Sequence, residues 1–168
     1  MYENILLAVA LQGGEDLSPH VLAARDVAIS IAAGGAKSVS VLTVFSPERI
    51  DGHHESIPII EEMMGQNVEE VRNLSREAGH IQKIEGQIHS AMDLFLSEFH
   101  HQGVKTRKMV REGNPREIIV ETAVEIDADL IIIGAHARRS FLDVLLGGTA
   151  QAVISKAACP VIMVKPNP

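Results

Sequence analysis

Residues 134–149 hold the densest set of groups able to bind an anion. Gly134 closes a short apolar run, Leu130 to Ile133. Ala135, His136 and Ala137 follow, then two adjacent cations, Arg138 and Arg139. Further on, Gly147-Gly148-Thr149 opens a helical pattern. An apolar run without polar alternation suits a strand buried on both faces of a parallel sheet. Where such a strand yields to a glycine-bearing loop and a helix, backbone N–H groups are left unpaired beside the positive end of the helix dipole. That chemistry favours phosphate. The crevice at the carboxyl ends of the strands is also the usual ligand site of an open parallel sheet. Arg138 and Arg139 carry the planar fork that pairs with phosphate, and are otherwise a solvated loop pair.

Other reactive side chains are less organised. No serine or acid is placed by sequence to work with His136, so no catalytic residue is assigned and a structural or surface role is expected. The pairs His53-His54 and His100-His101 lack the i, i+4 spacing of helical metal ligands, and no cysteine cluster joins them, so no metal site is expected. The single cysteine, Cys159, cannot form an internal disulfide, which suits a reducing cytoplasm. Among apolar residues ahead of Pro160 it reads as a buried, inert thiol. Met63-Met64 reads as core filler and Asp16 as a helix-capping or solvated acid.

These groups need a scaffold. The chain has 168 residues, 46% of them hydrophobic, which predicts one globular domain over 1–168 with a substantial core. A net charge of −7 argues against a general binder of nucleic acid or anionic membranes. No apolar stretch is long enough to span a bilayer. Met1-Tyr2-Glu3-Asn4 has no basic segment, so Ile5 to Leu11 reads as a first strand and not as a signal peptide.

In chain order, Ser18-Pro19 supplies an N-cap and a first helical residue. Val21, Leu22, Ala24, Val27, Ala28 and Ile31 recur at helical spacing, and Gly34-Gly35 ends that helix. Ser38 to Phe45 is a second strand. Residues 46–58, with Pro47, Gly52 and Pro58, read as a flexible loop. From Ile59 to Phe99 an apolar stripe steps by three and four. One straight helix of that length would run about 60 Å at 1.5 Å per residue. That exceeds a domain of this size, so a break is expected, at Gly79 or Gly86. Val104 to Arg111 is a third strand. Asn114 and Pro115 cap and start a third helix with apolar Ile118, Ile119, Ala123 and Ile126. The strand 129–133, a helix over 147–157 and a strand 160–164 complete the chain. The alternation predicts an α/β fold: a doubly wound, open sheet of five parallel strands with helices on both faces.

The chain resembles the universal stress protein family along essentially its whole length. Four segments carry the resemblance: Ile5-Leu6-Leu7-Ala8-Val9, Glu112-Gly113-Asn114-Pro115, Ala128-Asp129-Leu130-Ile131-Ile132-Ile133-Gly134-Ala135-His136, and Cys159-Pro160-Val161-Ile162-Met163-Val164. The resemblance implies strand order 3-2-1-4-5 in an adenine nucleotide alpha hydrolase-like fold. It also implies a homodimer through the C-terminal strand 160–164. Many members bind ATP through a Gly-x-x-Gly-x(9)-Gly-Ser/Thr motif. Here Gly134 and Gly147 match, Ala137 takes the second glycine's place, Gly148 takes the Ser/Thr place, and Thr149 falls one position late. Ala10 stands where ATP-binding members carry an aspartate at the end of the first strand. The nucleotide site implied by the resemblance comprises Ala10, Val44, Phe45, Ile133, Gly134, Ala137, Arg138, Arg139, Gly147, Gly148, Thr149 and Ala150. The backbone around Val44 and Phe45 would line the adenine. The ligand would be ATP or AMP, with Mg accompanying ATP. Two lost polar contacts would cost a few kcal/mol, at about 1–3 kcal/mol each.

Three functions compete. The first is a stress-response or regulatory protein that binds an adenine nucleotide non-catalytically at 134–149. The second is a member with a degraded site that acts only through an unknown protein partner, a reading favoured by Ala10, Ala137 and Gly148. The third is a slow ATP hydrolase, which would need a metal-holding carboxylate that Ala10 does not supply.

Overall fold

The computed structural model describes residues 2–11, 17–45, 67–134 and 148–165, with the backbone alone for 67–78 and 80. The elements run β1 (Asn4–Ala8), α1 (Pro19–Ala32), β2 (Ser38–Phe45), α2 (Asn67–His101), β3 (Thr106–Glu112), α3 (Pro115–Glu125), β4 (Leu130–Gly134), α4 (Gly148–Lys156) and β5 (Val161–Val164). The five strands form one parallel sheet in the order β3-β2-β1-β4-β5. The proposed loop 46–58 lies outside the described residues. No helix among the described residues is long and apolar enough to cross a membrane.

The period of two in a strand divides the core into two layers. Ile5, Leu7, Val9, Val39, Val41, Leu130 and Ile132 pack with α1 and α2. Leu6, Ala8, Leu42, Ile131 and Ile133 pack with α3 and α4. The buried positions of the central strands are therefore mostly apolar on both faces, with Ser40 and Thr43 of β2 as buried polar exceptions. α1 approaches closely because its buried positions are small: Ala24, Ala28 and Ala32 beside Val21. α2 offers the bulk instead, with Met92, Phe95 and Phe99 fully buried and the two rings tilted at a centroid distance of 5.8 Å. Burying one such side chain stabilises the fold by about 1.5–3 kcal/mol.

The expected break in α2 is absent. The helix continues for 35 residues through Gly79 and Gly86, a length of about 52 Å at 1.5 Å per residue. Both glycines face outward, and a Cβ on either would meet nothing within 4 Å. No neighbour forces a bend there. A glycine costs a helix only about 1 kcal/mol relative to alanine, too little to interrupt the hydrogen-bond ladder.

The amino edge of the sheet is tied by Asp129. Its carboxylate accepts from the backbone N–H of Glu3 at 2.7 Å and of Asn4 at 3.1 Å, locking β1 beside β4. His100 lies at this same edge, its Nε2 3.1 Å from Thr106 Oγ1. The opposite, carboxyl edge is where the chain leaves β1 and β4 for α1 and α4.

Candidate functional site

The carboxyl edge gathers three helix starts. α1 begins at Ser18, in extended conformation as an N-cap (φ −64°, ψ 150°), followed by Pro19. Its hydroxyl makes no capping bond, and Ser18 Oγ is buried with no hydrogen-bond partner among the described residues. α3 begins at Asn114, whose side-chain oxygen accepts from Arg116 N at 3.1 Å. The preceding Gly113 sits at φ +137°, a conformation that favours glycine, and donates its N–H to Phe45 O at 2.9 Å. The start of α3 is thereby pinned to the end of β2. α4 begins at Gly148.

Two glycines at this edge are held by close approach. A Cβ on Gly134 would lie 3.0 Å from His20 O and 3.3 Å from His20 C. Those are backbone atoms of the first turn of α1 and cannot swing aside, so the end of β4 and the start of α1 touch only because residue 134 has no side chain. At Gly148 the neighbour is different. A Cβ there would lie 2.5 Å from Arg116 Nη2 and 3.3 Å from Arg116 Cζ. The guanidinium of α3 thus lies across the first residue of α4. A cation at the amino end of a helix is opposed by the dipole, while an anion there is favoured. No ion pair or side-chain hydrogen bond of Arg116 occurs among the described residues, and the residue is exposed.

The other implied site residues fall as follows. Ala10 lies just beyond β1 and is exposed, an apolar methyl at the strand end. Val44 is half-buried against the α3/α4 layer, and Phe45, the last residue of β2, is buried. Ile133 and Ala150 turn into the α3/α4 core. Thr149 is half-buried in the first turn of α4. Ala137, Arg138, Arg139, Gly147 and His136 lie outside the described residues, as do Asp16, His53-His54 and Met63-Met64. Sequence reasoning placed neither Arg116 nor the Ser18 hydroxyl at this edge. Ser18 read only as a cap.

Among the described residues, no three of His, Cys, Asp or Glu gather closely enough to hold a metal ion. Cys159 is half-buried, and burial, then the Asp129 carboxylate, push its thiol above the ordinary range. That favours the protonated, unreactive form.

A sequence model of the Universal stress protein family matches residues 1–165. The chain belongs to the universal stress protein family. In sequence, universal stress protein MJ0577 of Methanocaldococcus jannaschii is 29% identical over 102 residues, 61% of this chain and 60% of its own length. The universal stress protein E homolog of Haemophilus influenzae is 48% identical over 58 residues, 34% of this chain and 19% of that protein. The chain thus spans less than two thirds of these curated relatives. The solved structure of MJ0577 superposes with a TM-score of 0.73 at 25% identity, covering 100% of this chain and 99% of that one. An Arabidopsis thaliana family member solved with AMP bound gives a TM-score of 0.61 at 16% identity, covering 98% and 92%. A universal stress protein solved in complex with cAMP gives 0.58 at 17% identity, covering 99% and 98%. At these last two identities the likeness is one of fold.

Proposed function

We propose that this universal stress protein binds an adenine nucleotide, ATP or AMP, non-catalytically at the carboxyl edge of its sheet, and that binding serves a stress-response or regulatory role. The observation that carries the reading is the closure of α1 on Gly134 at the same edge where α4 opens at Gly148. Two helix starts, with their unpaired N–H groups, are brought to the ends of the central strands. The orphaned Ser18 hydroxyl offers a further polar contact. Fold neighbours solved with AMP and with cAMP support an adenine nucleotide as the ligand class. Mg would accompany ATP as the counterion of its phosphates. The half-buried thiol of Cys159 suits a reducing cytoplasm.

A second reading, action through a protein partner alone, is favoured by Ala10, which presents a methyl where ATP-binding members carry an aspartate. One experiment separates the two. Calorimetric titration with ATP-Mg and with AMP is expected to give saturable binding in the micromolar range. Ligand at a hundred times its Kd would add about 2.7 kcal/mol to unfolding stability, read as a rise in Tm. No heat and no thermal shift at millimolar ligand would leave the partner reading. Phosphate release over hours would identify a hydrolase instead.

A further inference from the structure

We propose that Arg116 is the phosphate-reading cation of this site, and that Gly148 is the substitution that admits it. The inference rests on the nucleotide reading above and names a residue that the nucleotide motif does not contain. In the motif, position 148 is a serine or threonine that supplies one hydroxyl. In this chain the volume of that side chain's Cβ is taken by Arg116, with Nη2 2.5 Å and Cζ 3.3 Å from the point a Cβ would occupy. The two compete for one place: a Cβ at 148 would require the end of the Arg116 side chain to shift. Loss of the hydroxyl and entry of the cation are therefore one exchange at one place.

The exchange changes the chemistry of the edge. A hydroxyl is a single neutral donor, whereas a guanidinium offers five N–H donors in a planar, permanently charged fork. That fork stands at the amino end of α4, where the dipole opposes a cation and rewards an anion that both can share. Arg116 also finds no carboxylate among the described residues to neutralise it. Its base is fixed: the backbone N–H of Arg116 is held by the Asn114 cap, itself next to the Gly113 tie to β2. The cation is thus presented from a rigid helix start rather than from a loop. A positive charge of this kind discriminates by ligand charge, favouring a phosphate chain over a single phosphate and ignoring an uncharged nucleoside.

The test is calorimetry on the full chain with ATP-Mg, AMP, adenosine and inorganic pyrophosphate. R116A is expected to weaken ATP binding about tenfold to a hundredfold, the loss of one charged, two-pronged contact. AMP should lose less and adenosine nothing, so the ratio of ATP to adenosine affinity collapses. R116K should recover part of the loss, as a point charge without the fork. G148A should fold with Tm unchanged or raised, because alanine suits a helix better than glycine, yet bind ATP more weakly because the guanidinium is displaced. Unchanged ATP affinity in R116A would overturn the inference and leave the nucleotide reading standing. An equal loss for ATP and adenosine would also overturn it, making Arg116 a structural support. Arg116-dependent binding of pyrophosphate without nucleotide binding would uphold the inference and overturn the nucleotide reading. A wild-type chain that binds none of the four ligands would overturn both.

Discussion

Thr43 of β2 and Thr122 of α3 are 1% and 0% exposed, yet neither hydroxyl has a hydrogen-bond partner among the described residues. Each was satisfied by water in the unfolded chain. Burying a donor without a partner costs about 1–3 kcal/mol, while an apolar group of the same shape carries no such cost. Thr43→Val and Thr122→Val are each expected to raise stability by about 1 kcal/mol in urea unfolding. A loss of stability in either variant would mean that its hydroxyl is satisfied in solution. Residue-scale features divide sharply in how well the sequence announces them. Asn114-Pro115 reads as a helix start because the cap bond closes within two residues. Gly134 is conspicuous as the end of an apolar run. The Arg116–Gly148 contact is invisible, since its partners stand 32 positions apart, from 116 to 148, and meet only when α3 and α4 lie side by side.

Elements were legible wherever the chain's own pattern decides them. Uninterrupted apolar runs gave β1 and β4, and glycine pairs and prolines bounded the helices. The strand order was not in the pattern; it came with the family resemblance. α2 runs on where the size of the domain led to an expected break at Gly79 or Gly86. Its fully buried positions, among the described side chains, start only at Ile88, while Gly79, Gln82, Lys83, Gly86 and Gln87 face solvent. An exposed glycine in a continuous helix has one clear consequence. Gly79→Ala and Gly86→Ala should each stabilise the protein by about 0.5–1 kcal/mol, through a less disordered unfolded chain. Far-UV dichroism should stay the same while the urea midpoint rises. A destabilised Gly86→Ala would show that this face of α2 meets a partner in solution.

At the scale of the whole molecule, β5 borders only β4 among the described residues. Pro160 O accepts from Ile131 N, so Ile162 and Val164 face β4 and the N–H groups of Val161 and Met163 point outward. An apolar strand with unpaired donors calls for cover, and a two-fold copy of the same strand is the simplest supply. If a homodimer forms through 160–164, Met163→Pro removes a donor that β4 does not use. Sedimentation should then report a monomer, while Met163→Ala, which keeps the donor, stays dimeric. A dimer that persists in the proline variant must use another surface.

The Asp129 carboxylate that clasps Glu3 and Asn4 also sets a timetable. β1 is made long before one of its two neighbours, β4, which begins at Leu130. At about 5–20 residues per second, the stretch from Ile5 to Leu130 takes roughly 6–25 s to make. Throughout that interval the central strand has at most one flank covered, and Ile5, Leu6 and Leu7 wait for a partner not yet synthesised. The innermost strand is made well before one of its two neighbours, so truncation before residue 130 leaves a sticky fragment rather than a smaller domain.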